Sequence, residues 1–440
     1  MSKLRTSAVL RWFSPALALV VAGDAFAEDW PKFGGPRGDN TSLESGLVRA
    51  FPKDGPTVLW STELGEGYGG AAVAGDEVYV LDRGDNQDVL RCFDLKDGRE
   101  LWTFEYEAPG RLNFPGSRGV PWVGDEYLYT IGGFGHVHCI DRKAHDCVWS
   151  VNLKDEYQGE MPQWGWSQSP ILHEDVIIAA PLGDEAGLVA LDAESGKEVW
   201  RTEGLGTTHS SPVLVDIAGV PQVLFITFKG DKGMLSSFAA KDGKLLWRSH
   251  DYVNSIPIPY PVKVDDQRVF VTGGYKSGSV MLEVKNSGEK FGVKLLTRIP
   301  RGSQIHLPIR VKDHLYFLAN ENETDHRTKQ KEGGLMCMAL DGSEVWRTGD
   351  SPYFGRGNML HADGMLILQD GSSGHLRLVE PRPEGFKLLA EANIFESKDG
   401  RDQKMWAPMA LSGGRLLMRS QNTMKCVELK KSTASAGSSP

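Results

Sequence analysis

The sequence predicts an all-β fold, an eight-bladed β-propeller of four-stranded antiparallel blades whose ring is closed by an N-terminal strand completing the last blade. Three observations predict it. A short phrase ending in Trp recurs along the chain, an apolar landmark opens a new unit eight times at intervals of 42 to 51 residues, and the last unit lacks the Trp-bearing strand that the chain carries spare near its start. Repeats of roughly 40–50 residues with four short strands each are the signature of propeller blades.

The phrase is clearest at Ala190-Leu191-Asp192-Ala193-Glu194-Ser195-Gly196-Lys197-Glu198-Val199-Trp200. Cys92-Phe93-Asp94, Gly98 and Trp102 repeat it at the same spacing, and Cys139-Ile140-Asp141 with Trp149 repeats it with His145 in place of Gly. Ser237-Phe238-Ala239 with Trp247, and Cys337-Met338-Ala339 with Trp346, give two more copies. Apolar residues alternate on either side of a Gly-containing turn, which is a β-hairpin pattern, and Gly supplies the positive φ that such turns require. The Trp falls on the outer strand, where it covers the seam between blades. Asp94, Asp141 and Asp192 stand at hairpin entrances, where Asp satisfies turn backbone groups.

The landmark is Pro121, Pro170, Pro212, Pro261 and Pro308, with Ala72, Met359 and Met409 in the same place. An apolar strand follows each, from Glu77-Val78-Tyr79-Val80 in the first unit to Leu416-Leu417-Met418 in the last. Units five and seven are degenerate and lack the full phrase. The last unit ends at Cys426-Val427-Glu428-Leu429, and Val58-Leu59-Trp60-Ser61-Thr62 supplies its missing outer strand. Such closure removes the exposed edge that invites aggregation. A seven-bladed ring and two smaller domains are the minor alternatives, since no Pro/Gly/Ser-rich linker interrupts the repeats.

The expected organisation is a signal peptide over 1–27, a lead-in over 28–55 packed on one face, the propeller over 56–430 and a disordered tail over 431–440. Lys3, Arg5 and Arg11, the apolar run Phe13 to Ala22 and Ala25-Phe26-Ala27 follow the order of a secretory signal. Export to the periplasm or the extracellular space is expected. No segment is long and apolar enough for a transmembrane span. Removing residues 1–27 takes the formal charge from −9 to −11, since that segment carries a net charge of plus two. An acidic chain without a basic run excludes nucleic acid as the expected partner. The charged stretch Glu321 to Glu332 reads as a surface loop.

The Ala-Leu-Asp-x-x-x-Gly-x-x-x-Trp phrase resembles the repeats of pyrroloquinoline-quinone (PQQ) propellers, and the resemblance covers residues 56 to 430. Asp29-Trp30-Pro31-Lys32-Phe33-Gly34-Gly35-Pro36-Arg37-Gly38-Asp39 resembles the lead-in of secreted PQQ-like propellers of planctomycete-type bacteria. The resemblance implies one of two roles. One is that of the quinoprotein dehydrogenases, which bind PQQ and calcium. The other is that of non-catalytic scaffolds such as the propeller lipoprotein of the outer-membrane barrel assembly machine. The chain has no adjacent Cys–Cys pair of the kind that stacks on the quinone, no recognisable calcium-ligand set and no lipoprotein cysteine. The cofactor expectation is therefore none, with PQQ as the alternative.

Cys92, Cys139, Cys337 and Cys426 fill the slot held by Ala190 and Ser237 and are expected to be small buried residues in separate blades. Cys139 and Cys147 straddle one hairpin turn, so a cross-strand bridge is open there. The candidate site is the channel mouth. Three residues before the landmarks stand Arg118, Ser167, His209, Ile258, Ile305, Arg356 and Trp406. Gln168, Ser210 and His306 come one step later, and Trp164 and Trp166 just upstream of Ser167. His306, Arg356, His209, Arg118, Trp406, Trp166 and Gln168 are the candidate ligand-binding residues, a cationic and aromatic wall suited to an anionic planar ligand, a carboxylate or a sugar. No catalytic residue and no metal ligand is assigned. The expected role is a monomeric, non-catalytic propeller that binds a small ligand or a protein at its channel face, with a PQQ-dependent alcohol or sugar oxidoreductase as the alternative.

Overall fold

The computed structural model describes residues 27–288, 290–320, 333–352, 354–395 and 404–431. Apart from Ala27, the expected signal segment lies outside these residues, as do the charged loop and all but Lys431 of the expected tail. The described residues form eight four-stranded antiparallel sheets. Blade 1 opens with Ala72–Ala74 and blade 2 with Trp122–Val123. Blades 3 to 7 open with Ile171–His173, Val213–Ile217, Val262–Lys263, Ile309–Val311 and Asn358–Ala362, and blade 8 with Ala410–Ser412. The outermost strand of blade 8 is Val58–Glu63, antiparallel to Thr423–Glu428, so the ring closes as the spare Trp60 strand requires. The degenerate units five and seven form complete blades, with Phe291–Ile299 and Leu388–Asn393 as outer strands. No described helix is long and apolar enough to cross a membrane.

The outer strand carries the same irregularity in all eight blades, a one-residue bulge just before the Trp position. In blade 3, Trp200 faces Ala190 while Glu198 faces Leu191, so Val199 is left unpaired. Leu59, Leu101, Val148, Leu246, Leu296, Val345 and Leu389 are skipped in the same way. A bulge adds local twist and re-aims the following side chain. Here it points five of the six Trp side chains at the hairpin turn of the next blade, while Trp247 Nε1 donates to Gln222 Oε1 of its own blade. Trp60 Nε1 donates to the Leu95 carbonyl at 3.0 Å and Trp149 Nε1 to the Ala193 carbonyl at 2.8 Å. The bulge also separates Cys139, which faces Trp149, from Cys147, which faces Ile140. All five cysteines are free thiols. The entrance aspartates hold their turns, as Asp192 does through the Ser195 N–H at 2.8 Å.

The lead-in runs beneath the ring against the turns that follow the inner strands. Trp30 exchanges two hydrogen bonds with Val73, and Val123 N–H donates to the Pro31 carbonyl. Further along, Leu47 N–H donates to Asp363, and Glu44 accepts from the N–H groups of Gly413 and Gly414, each at 2.7 Å. Burial pushes the Glu44 carboxyl above its ordinary range although these bonds oppose the shift. One lead-in thereby ties together blades 1, 2, 7 and 8.

Candidate functional site

The chain enters each inner strand in extended form, so successive side chains point alternately to the axis and to the blade interior. The residues three before and one before the landmark share the axial side. Arg118 with Val120, Ser167 with Ser169, His209 with Ser211 and Trp406 with Pro408 line one axial cavity of about 280 Å³, with Ile258, Ile305 and Arg356 completing the upper layer. Seven separate blades contribute to this layer. Hydrogen bonds between blades fix the spacing: Val120 N–H donates to Ser169 Oγ and Ser169 N–H to Ser211 Oγ, both at 2.9 Å.

Of the seven residues singled out from the sequence, Arg118, His209, Arg356 and Trp406 stand on the cavity wall. Trp166, Gln168 and His306 do not, for they have the opposite parity. Trp166 Nε1 and Gln168 Nε2 both donate to the Ala180 carbonyl, and Gln168 Oε1 accepts the Ala180 N–H at 2.7 Å. His306 is buried, and its Nε2 accepts the Leu318 N–H at 2.7 Å, so that nitrogen carries no proton. These three brace their own blades.

Sequence reasoning missed Tyr68, Phe114, Tyr275 and Phe33, which come from loops and the lead-in with no fixed place in the repeat. Aromatic abundance near the landmarks was the only signal for them. Tyr68 and Trp406 stack with centroids 5.4 Å apart at 25°, and Phe114 packs against both. The Arg118 guanidinium lies 5.7 Å from the Tyr68 ring and that of Arg356 5.1 Å from Trp406, with Lys404 4.9 Å from Phe114. Cations at these distances are attracted to the ring quadrupole and become oriented by it. Arg356 Nε also donates to Gln304 Oε1 at 2.9 Å.

Burial pulls the Arg118 guanidinium down to about 10, which leaves it charged at neutral pH. Burial, with Arg118 nearby, pulls His209 down to about 4, so its imidazole is neutral at pH 7. That ring stacks on Trp164 with centroids 4.6 Å apart, and its Nδ1 has no hydrogen-bond partner among the described residues. Among the described residues the wall contains no Asp, Glu or Cys. It therefore offers positive charge, aromatic faces, an uncharged imidazole and five hydroxyls, those of Ser167, Ser169, Ser211, Tyr68 and Tyr275.

Comparison with known proteins agrees with this architecture. The family model of PQQ-type repeats described as outer membrane protein assembly factor BamB matches residues 44–110 and 85–324. The chain belongs to this BamB-type PQQ-repeat family. Among curated relatives, the BamB-type chain is 24% identical over 204 residues to the quinohemoprotein alcohol dehydrogenase of Comamonas testosteroni, covering 43% of this chain and 28% of that protein. It is 28% identical over 128 residues to the dehydrogenase subunit of the quinone alcohol dehydrogenase of Gluconobacter oxydans, covering 26% and 17%. The matched segments thus span less than a third of either relative. BamB from Moraxella catarrhalis superposes with a TM-score of 0.60 at 14% identity, over 85% of this chain and 99% of that one. The solved C. testosteroni dehydrogenase gives 0.62 at 13%, over 92% and 81%. At such identities the likeness shows the shared fold.

The dehydrogenase relatives imply a quinone. The cationic, aromatic wall suits the acid groups and flat body of such a molecule. Among the described residues the same wall supplies no carboxylate, and no group of three His, Cys, Asp or Glu could hold a metal ion. The described residues thus do not fit a quinone anchored through calcium, which requires oxygen ligands including carboxylates.

Proposed function

We propose that this BamB-type chain is an exported, monomeric binding propeller whose axial cavity takes a small planar anion, and that it carries out no chemistry of its own. The observation that carries this reading is the convergence of Arg118, Arg356, His209 and Trp406, from four blades, on a wall to which the described residues bring no carboxylate. Guanidiniums oriented on aromatic rings recognise carboxylates, and Trp164 and Trp406 supply flat apolar surface for an aromatic body. Neutral His209, with Nδ1 unpartnered among the described residues, offers a further hydrogen bond without adding charge. A general acid–base pair would need a second titratable group beside it, and among the described residues the wall supplies Tyr68 and Tyr275 but no carboxylate. The family description names an assembly factor, which supports a binding role.

The test is a titration of the chain from Glu28 onward with naphthalene-2-carboxylate, followed by tryptophan fluorescence. Saturable binding is expected, weakened roughly tenfold or more by Arg356→Ala, as for loss of a charge-assisted contact. Equal affinity for the neutral isostere naphthalene-2-methanol would overturn the reading. The second reading, a PQQ-dependent oxidoreductase, is supported by the quinone relatives and by the two guanidiniums. Titration with PQQ, with and without calcium, separates the two: calcium-dependent binding accompanied by alcohol oxidation would favour the oxidoreductase.

A further inference from the structure

We infer that Phe33 is the stopper of the axial cavity, so that the lead-in, and not the ring, sets how long a ligand the site accepts. This rests on the ligand-binding reading above and adds a specificity-determining residue to it. A propeller ring encloses a central channel open at both faces. Here the channel is interrupted. Phe33 lines the axial cavity and also a second chamber of about 50 Å³, which lies between the lead-in residues Lys32 and Arg37 and the inner strands of blades 3 and 4. Ser169 and Ser211 border both chambers, so the Phe33 ring is the partition between them.

The partition is built into the fold. Phe33 meets Tyr260 edge to face, centroids 5.3 Å apart at 86°, and the Tyr260 hydroxyl donates to the Gly38 carbonyl at 2.8 Å. The loop that carries Phe33 under the axis closes through Asn40 N–H to the Gly34 carbonyl at 2.8 Å. Gly34 has φ +79, and a Cβ there would lie 2.5 Å from the Tyr260 hydroxyl, so the approach requires glycine. On either side of this loop the lead-in is tied down, by Trp30 and Pro31 to blades 1 and 2, and by Glu44 and Leu47 to blades 8 and 7. These ties fix the backbone on either side of Phe33, and the Tyr260 ring packs against its side chain.

The cup that results is polarised. Its upper layer holds all three of Arg118, His209 and Arg356, while its lower end is uncharged, with Val120, Pro408 and Phe33 beside Ser169 and Ser211. The ligand class this fits is an aromatic monocarboxylate lying along the axis, acid group at the mouth and ring end on Phe33.

The experiment compares the wild type with Phe33→Ala against naphthalene-2-carboxylate and the longer p-terphenyl-4-carboxylate, read by tryptophan fluorescence. The wild type is expected to prefer the shorter acid, and Phe33→Ala to gain roughly tenfold or more for the longer one, the scale on which hydrophobic pockets discriminate length. If the wild type binds the shorter acid and Phe33→Ala leaves the preference unchanged, the stopper is overturned while the anion reading stands. If neither protein binds either acid, the anion reading fails, and a crystal structure of Phe33→Ala decides the stopper. An open passage from Arg118 to Lys32 supports it, and an axis refilled by the lead-in overturns it. Should Phe33→Ala not fold, Phe33→Leu with biphenyl-4-carboxylate makes the same comparison.

Discussion

The indole of Trp102 lies flat on the imidazole of His145, centroids 4.6 Å apart and planes at 15°. Trp102 belongs to blade 1 and His145 to the hairpin turn of blade 2, at the position glycine holds in the neighbouring copies. Its φ is +62, the left-handed region that glycine adopts without strain. The stack replaces the glycine–tryptophan contact of other seams with a ring–ring contact. His145→Ala keeps the strain and removes the stack, and should cost about 1 kcal/mol. His145→Gly loses the stack but relieves the strain, and should change stability by less than about 0.5 kcal/mol. Urea unfolding midpoints check both. Equal losses in the two variants would show that the backbone conformation contributes nothing.

At Gly98, Gly196 and Gly243 the Trp of the preceding blade leaves no room for a side chain. A Cβ on Gly196 would sit 2.7 Å from the Trp149 ring, at φ +70. Gly75 has a similar φ of +61 but open space around it. Gly75→Ala is expected to cost about 1 kcal/mol for the strained backbone alone. Gly196→Ala adds the overpacking of the seam and should cost about 1–3 kcal/mol more. Thermal and urea midpoints of the two variants give the comparison, and equal costs would remove the seam from the account.

Acid should loosen the ring well before carboxylates are protonated. Burial pulls His306 and His138 down to about 3, and His209 to about 4. Each folded-state value lies below the ordinary value near 6.5, so the unfolded chain binds protons first as pH falls. The stability these neutral histidines allow is complete above about pH 6.5. It is lost between there and pH 3–4, by up to about 1.4 kcal/mol per pH unit for each group. For His306 the cause is visible: protonated Nε2 would face the Leu318 N–H as donor against donor. His138 packs on Tyr106 and Phe104, so His138→Phe keeps an aromatic ring there and removes one titration. Its unfolding midpoint should fall less steeply from pH 6.5 to 4.5 than that of the wild type, and an unchanged slope would exclude His138 as a contributor.

The cysteines should react as one exposed thiol and four hidden ones. Cys147 is exposed, whereas Cys92, Cys139, Cys337 and Cys426 are buried in their blades. Ellman's reagent should titrate one thiol in the native protein and five after denaturation. Burial of neighbouring surface raises the Cys147 thiol, so its reaction should be slow at pH 7 and accelerate toward pH 9. Fewer than five thiols after denaturation would reveal a bridge.

Most of the ring could be read from the chain because each blade repeats one phrase and one landmark, and the unpaired strand at Trp60 fixed the closure. Blades 5 and 7 were hard to see because Thr297 and Ala390 take the Trp position, yet the bulge before each is preserved. The axial wall was half legible. Counting three residues back from the landmark found Arg118, His209, Arg356 and Trp406, since backbone alternation is a local property. Trp166, Gln168 and His306 were misplaced by one step, which in an extended segment turns a side chain from the axis into the blade. Tyr68, Phe114 and Phe33 reach the cavity from loops whose course depends on tertiary contacts such as Phe33 against Tyr260. The repeat carries no information about those contacts.

The pairing of Val58–Glu63 with Thr423–Glu428 also sets an order of events during synthesis. The strand made first is the one paired last, because its partner is the final strand of the chain. At ordinary rates of elongation the first strand waits on the order of tens of seconds before that partner exists. During that interval Trp60 has no seam to cover, and seven growing blades have no ring to join. A chain that stops anywhere before Thr423 leaves both the first strand and the ring unfinished, so the last residues of the propeller act as a check on the completeness of the whole.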